Sequence, residues 1–140
     1  MADAVALRDG NRAMALETEQ LDLDPVRLLR GVEAVLADPT KGFYLVADSA
    51  GDVVGQLMIT YEWSDWRAGT CWWIQSVHVI PAARRQGVYR ALHAEALRRA
   101  KAAGAVAVRL YVIASNRSAQ ATYTSLGMHD SGYRVFEQEA

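Results

Sequence analysis

From Trp72 to Ile80 the chain is a run of aromatic and β-branched residues that Pro81 ends. An Arg84-Arg85-Gln86-Gly87 turn follows, the composition from Gly87 to Ala103 changes to Ala, Leu, Arg and Glu, and Gly104 precedes a second Val-rich run, Ala105 to Val112. Proline cannot donate to a ladder, glycine after a helical run marks a left-handed cap, and β-branched residues favour strands. The passage therefore reads as strand, helix, strand. Two strands joined in this way lie parallel, through a right-handed crossover, and no other segment constrains the fold as tightly.

The remaining elements are placed around this unit. Val5-Ala6-Leu7-Arg8 reads as a short first strand and Asn11 to Leu21 as a helix. Asp24 caps a second helix ahead of Pro25, Leu28, Leu29, Val32, Val35 and Leu36 give it an apolar stripe, and Pro39 stops it. Phe43 to Ala47 and Val53 to Tyr61 read as a hairpin across the Asp48–Asp52 turn cluster, Ser118 to Ser125 as a short helix, and Tyr133 to Phe136 as a last strand. The expectation is an α/β fold: one domain over residues 1–140, with a mixed, mostly antiparallel central sheet flanked by helices.

With 15 Lys and Arg against 16 Asp and Glu, the charge is nearly balanced, which argues against a nucleic-acid surface and for a small-molecule or local protein partner. Cys71 is the one cysteine, so neither an intrachain disulfide nor a Cys/His zinc cluster is expected, and a reducing compartment is favoured. No apolar run approaches the roughly 20 residues of a membrane span. The N-terminus lacks a secretory pattern. A cytoplasmic location without a membrane partner is the expectation.

The turn before the long helix, taken alone, reads either as a solvated arginine-rich surface, the commoner case, or as the segment that carries the chemistry. A helix N-terminus presents free N–H groups and partial positive charge, Gly87 allows close approach to the backbone, and Arg84, Arg85 and Arg90 add cations. These features suit a pyrophosphate. The segment lacks the lysine of a Walker loop and the glycine spacing of a dinucleotide fold.

Val77-His78-Val79-Ile80-Pro81 followed by Arg84-Arg85-Gln86-Gly87-Val88-Tyr89 resembles the cofactor motif of the GCN5-related N-acetyltransferase (GNAT) superfamily, Arg/Gln-x-x-Gly-x-Gly/Ala. Downstream, Asn116 to Met128 is similar to that family's Asn-x-x-Ala-x-x-x-Tyr-x-x-x-Gly-Phe/Met block. The resemblance covers nearly the whole chain. It implies transfer of an acetyl group from acetyl-CoA, as co-substrate and without a metal, to a primary amine of a small molecule or peptide by direct attack in a ternary complex. It also implies a homodimer. Tyr89 departs from the pattern at a position held by Gly or Ala, and its ring either turns outward or stacks on the cofactor.

The resemblance further assigns main-chain groups of Val77, His78 and Val79 to the pantetheine arm, and Arg84 through Arg90, including Gln86 and Val88, to the phosphates. Tyr123 matches the tyrosine that protonates the leaving thiolate; with a phenol near 10 against a thiol near about 8.5, that transfer needs local help. Asn116 either bonds the cofactor arm or caps the helix after it. Gln75 stands where some relatives have a glutamate base, which leaves Glu62 as the nearest acid, acting through water or standing as an exposed strand-end carboxylate. Strand alternation puts Gln75, Val77 and Val79 on one face and Ser76 and His78 on the other, so His78 packs against a helix. His93 and His129 read as solvated.

All four tryptophans lie between Trp63 and Trp73, beside Glu62 and Asp65. Aromatic faces and carboxylates together attract ammonium groups. Glu62, Trp63, Asp65, Trp66 and Gln75 are therefore acceptor-binding candidates, with Glu17 and Glu19 on the first helical segment facing the same cleft. The competing reading makes the tryptophans core or dimer contacts. Gln75 and Tyr89 also motivate an alternative function, a GNAT-fold module that binds a CoA-type ligand without catalysis.

Overall fold

The computed structural model describes residues 3–140, which fall into two compact units, up to Arg109 and from Leu110 onward. The first holds helices α1 (Ala4–Glu19) and α2 (Pro25–Ala37), strands β1 (Phe43–Ser49), β2 (Asp52–Ser64) and β3 (Gly69–Val79), a 3-10 turn (Pro81–Ala83), helix α3 (Val88–Ala102) and strand β4 (Ala107–Arg109). The second holds helix α4 (Arg117–Ser125).

The sheet order is β1-β2-β3-β4, antiparallel through the first three strands and parallel between β3 and β4. The strand–helix–strand passage thus gives the parallel pair expected of it. Gly104 adopts φ +76 just past α3, as a left-handed helix end requires. Asp24 caps α2 by accepting from the Val26 N–H at 3.0 Å.

Three expectations are corrected. Val5 to Arg8 is helical, because Ala4, Leu7, Asn11 and Ala15 form one buried face at helical spacing, a period that a four-residue window hides. β4 forms only over Ala107–Arg109, within the longer run expected. Tyr133 to Phe136 is not a strand: Tyr133 is 76% and Phe136 91% exposed, and strand-forming side chains make a strand only where a neighbouring edge accepts the ladder.

α1 and α2 cover one face of the sheet. Ala4 and Leu7 pack with Val32, Leu29, Leu36 and Tyr44, and buried Gln56 donates to the Leu7 carbonyl at 3.1 Å and to Asn11 Oδ1 at 3.0 Å. α3 covers the other. A Cβ built on Gly55 would lie 2.6 Å from Val88 Cγ1 and 3.3 Å from Leu92 Cδ1, so the absence of a side chain sets how closely α3 seats. On that face Trp72 meets Phe43 and Tyr61 edge-on, and the Arg99 guanidinium stands 5.9 Å from the Phe43 ring centre.

A bulge in β3 alters the alternation of its side chains. Met58 pairs with Gln75 and Gln56 with His78, so Ser76 and Val77 together oppose Leu57, and Ser76 takes φ +52. One extra residue reverses the faces beyond it. His78 therefore shares the α1 face with Gln75, against the expectation that they are on opposite sides.

Candidate active site

Gly87, at φ +79, turns the chain into α3 without a capping side chain, and a Cβ there would meet nothing within 4 Å. Arg85 also takes a positive φ, +61. The first helical bond runs from the Ala91 N–H to the Gly87 carbonyl at 3.0 Å, so the N–H groups before it point out of the helix without an intrahelical acceptor. No acid stands in the first turn, and Arg85 and Arg90 are exposed and form no ion pair among the described residues. Gln86 is occupied locally, its Nε2 donating to the Ala82 carbonyl at 3.1 Å. These residues fit a phosphate group.

Arg84, expected among the phosphate ligands, is engaged elsewhere. Its terminal nitrogens donate to both Glu17 carboxylate oxygens at 2.6 Å, and its Nε donates to the Val79 carbonyl at 2.9 Å. The Arg84 hydrogen bonds hold the Glu17 carboxyl below its ordinary value. Glu17 is thus bound to the turn before α3, while Glu19, also exposed, lies two residues further along α1. His78, only 9% exposed, has its imidazole pushed down by burial and then by the Arg84 charge, with Glu17 opposing. His78 and Glu17 line an open cleft of about 380 Å³ between α1 and the sheet, with Asp9, Gly10 and Gln56.

The β3–β4 ladder runs only from Cys71–Ala107 to Trp73–Arg109, so the two strands are not paired along Ile74 to Val79, the stretch containing the bulge and the expected pantetheine-binding residues Val77 and Val79. Gln75 Nε2 donates to Thr60 Oγ1 at 2.6 Å. Glu62 Oε1 accepts from Trp73 Nε1 at 3.1 Å and from Arg109 at 3.3 Å.

The tryptophans separate. Trp72 is core, and Trp73 holds Glu62. Trp63 and Trp66 stand 66% and 91% exposed at the β2–β3 hairpin tip beside exposed Asp65. Trp63 pairs with Thr70, five positions along β2 from the Met58–Gln75 pair, roughly 16 Å at strand rise. The fold does not gather Trp63, Asp65 and Trp66 with Gln75.

Tyr89 is half-buried with its hydroxyl 3.0 Å from His93 Nδ1 and its ring edge-on to the imidazole, centroids 5.6 Å apart. His93, read from sequence as solvated, is 6% exposed, and burial lowers its pKa. The four-residue spacing of Tyr89 and His93 was the signal for this pair. His129 is exposed, as expected.

Within the second unit, Asn116 caps α4, its Oδ1 accepting from the Ala119 N–H at 3.1 Å. Tyr123 is half-buried on α4, and burial raises its phenol. Among the described residues, no group of three or more His, Cys, Asp and Glu could hold a metal ion, and no helix is long and apolar enough to cross a membrane.

The profile of the acetyltransferase (GNAT) family matches residues 8–128. The chain belongs to this family. It is 32% identical over 128 residues to the mycothiol acetyltransferase of Corynebacterium aurimucosum, an alignment covering 89% of this chain but 42% of that relative, so the chain spans less than half the relative's length. A solved possible acetyltransferase from Clostridium difficile 630 is 41% identical, with a TM-score of 0.93, covering all of this chain and 93% of that one. A predicted acetyltransferase from Clostridium acetobutylicum, solved with acetyl-CoA, shares the fold at TM-score 0.79 and 15% identity, over 99% of this chain and 91% of that one.

Proposed function

We propose that the protein is an N-acetyltransferase that takes acetyl-CoA as co-substrate and acetylates a primary amine of a small molecule or peptide by direct attack in a ternary complex. The observation that carries this reading is the uncapped start of α3. Gly87 exposes N–H groups there, Arg85 and Arg90 supply free cations beside them, and Arg84 is held back by Glu17. The co-substrate supplies an activated acetyl group. The chain's own residues bind its phosphates at the α3 N-terminus and its arm along the bulged end of β3. Tyr123, protonated at neutral pH, serves as the hydrogen donor to the departing sulfur.

On the acceptor side, Gln75 and His78 share the face that looks toward α1 and its cleft. Burial keeps the His78 imidazole neutral near pH 7, so an incoming ammonium meets no positive charge from that ring. Glu62 lies on the same face of β2 as Thr60 and is the carboxylate proposed to accept the amine proton through water. Its Oε1 is already bonded to Trp73 and Arg109, which favours a second reading, a CoA-binding module without turnover.

The two readings separate by titrating acetyl-CoA in a calorimeter and by following thiol release across polyamines, amino acids, aminoglycosides and peptides. Binding with turnover of any amine supports the enzyme. Binding without turnover, unchanged in Glu62→Gln, supports the module, and no binding overturns both.

A further inference from the structure

Tyr89 occupies the second position of α3, where a side chain can swing across the N–H groups that have no intrahelical acceptor. A bulky ring there would obstruct a phosphate approaching the backbone. His93 restrains the ring through the 3.0 Å contact of the Tyr89 hydroxyl with its Nδ1 and through the edge-on packing of the two rings at 63°. His93 is itself anchored, lying with Leu92, Ala96 and Ala100 in the buried arc of α3. An aliphatic residue would fill that arc without the cost of burying an imidazole, so the polar ring is explained by what it holds.

We propose that His93 is a positioning residue for the cofactor turn, fixing the Tyr89 ring along the α3 face so that the N–H groups at the helix start stay open to the ligand's phosphates. This rests on the reading of that turn as the pyrophosphate seat. Burial keeps the imidazole neutral, so a ring nitrogen is available to accept from the phenol. The arrangement accounts for a tyrosine standing next to a backbone anion site. The ring is tolerated because a residue one turn along the helix holds it aside.

The experiment is calorimetric titration of coenzyme A into the wild-type chain and into Tyr89→Phe, His93→Leu, Tyr89→Ala and the Tyr89→Ala/His93→Leu double variant, with thermal unfolding of each in parallel. Tyr89→Phe keeps the ring and removes the hydroxyl that bonds to His93, so folding is little disturbed and the affinity for coenzyme A should fall about fivefold or more. His93→Leu should do the same. Tyr89→Ala should bind as tightly as wild type or more tightly, and the double variant should recover what His93→Leu loses. The proposal is overturned if Tyr89→Phe and His93→Leu bind within about twofold of wild type, whatever their melting temperatures, or if the double variant is as weak as His93→Leu. Failure of the wild-type chain to bind coenzyme A would instead remove the pyrophosphate seat itself, a result distinct from wild-type binding that the variants leave unchanged.

Discussion

Arg84 and Glu17, 67 residues apart in sequence, are joined by a two-pronged ion pair at 2.6 Å, and the same guanidinium reaches back to the Val79 carbonyl. One side chain thus fastens the C-terminal turn of α1 to the end of β3 and to the start of the turn before α3. Its positive charge is paired at the surface with Glu17. On the proposed reading, the phosphates would be left to the α3 N–H groups, Arg85 and Arg90.

Because this pair is exposed, with side chains 38% and 49% accessible, it contributes at most ~1 kcal/mol to folding, and Glu17→Gln should barely move the melting temperature. Its larger effect should be on geometry. Arg84→Lys keeps the charge but cannot make the fork or the Val79 contact, and should raise the KM for acetyl-CoA about threefold or more with a smaller change in kcat. Steady-state kinetics with both substrates varied checks the split. A loss confined to kcat would contradict the assignment.

Gly55 offers a second route to the same turn. A methyl group at residue 55 would press on Val88, the first residue of α3, at 2.6 Å. Gly55→Ala should cost about 1–3 kcal/mol as an overpacked contact and should also weaken acetyl-CoA binding, since the helix start must shift to make room. Denaturant unfolding and calorimetry on the same samples check both. A variant destabilised but unaltered in affinity would mean that the α3 start is insensitive to the sheet beneath it.

What could be read from the sequence was what local chemistry writes there. The Asp24-Pro25 cap, Gly104 and the Gly87 turn each have a conformational cause within a few residues, and each is present. The Ser76 bulge has no such mark, since serine is an ordinary strand-edge residue until the register with β2 forces φ +52 on it, and missing it put His78 and Gln75 on the wrong faces. Arg84 looked like a phosphate ligand because its partner lies on a distant helix. The tryptophans looked like one cluster because sequence proximity hides the hairpin, whose tip carries Trp63 and Trp66 far along the sheet from Gln75 while Trp72 turns into the core.

Two buried histidines predict a stability profile. His78 and His93 both titrate below 6.5 in the folded protein, mainly through burial, so between their folded values and 6.5 the unfolded chain binds more protons and stability rises with pH. Their contribution is complete above pH 6.5 and is lost as the pH falls through that window. Glu17 and Glu95, whose carboxyls arginines hold below 4.5, add their own loss only at lower pH. Melting temperatures should therefore decline from pH 7 toward pH 5, and His93→Leu should flatten that decline. An unchanged slope in the variant would remove His93 from the account.

Tyr123 carries the chemical prediction. Its phenol is raised by burial, so it is fully protonated through the neutral range, while the thiolate it would meet has an ordinary value of about 8.5. Complete transfer of the proton to that thiolate would run uphill, so the proposed contribution is a hydrogen bond to the sulfur that strengthens as its charge develops and therefore matters more at the transition state than in the bound ground state. Tyr123→Phe should accordingly lower kcat about a hundredfold while leaving the coenzyme A dissociation constant within about twofold. Single-turnover rates together with calorimetry separate the two quantities, and equal losses in both would assign Tyr123 to binding rather than to proton transfer.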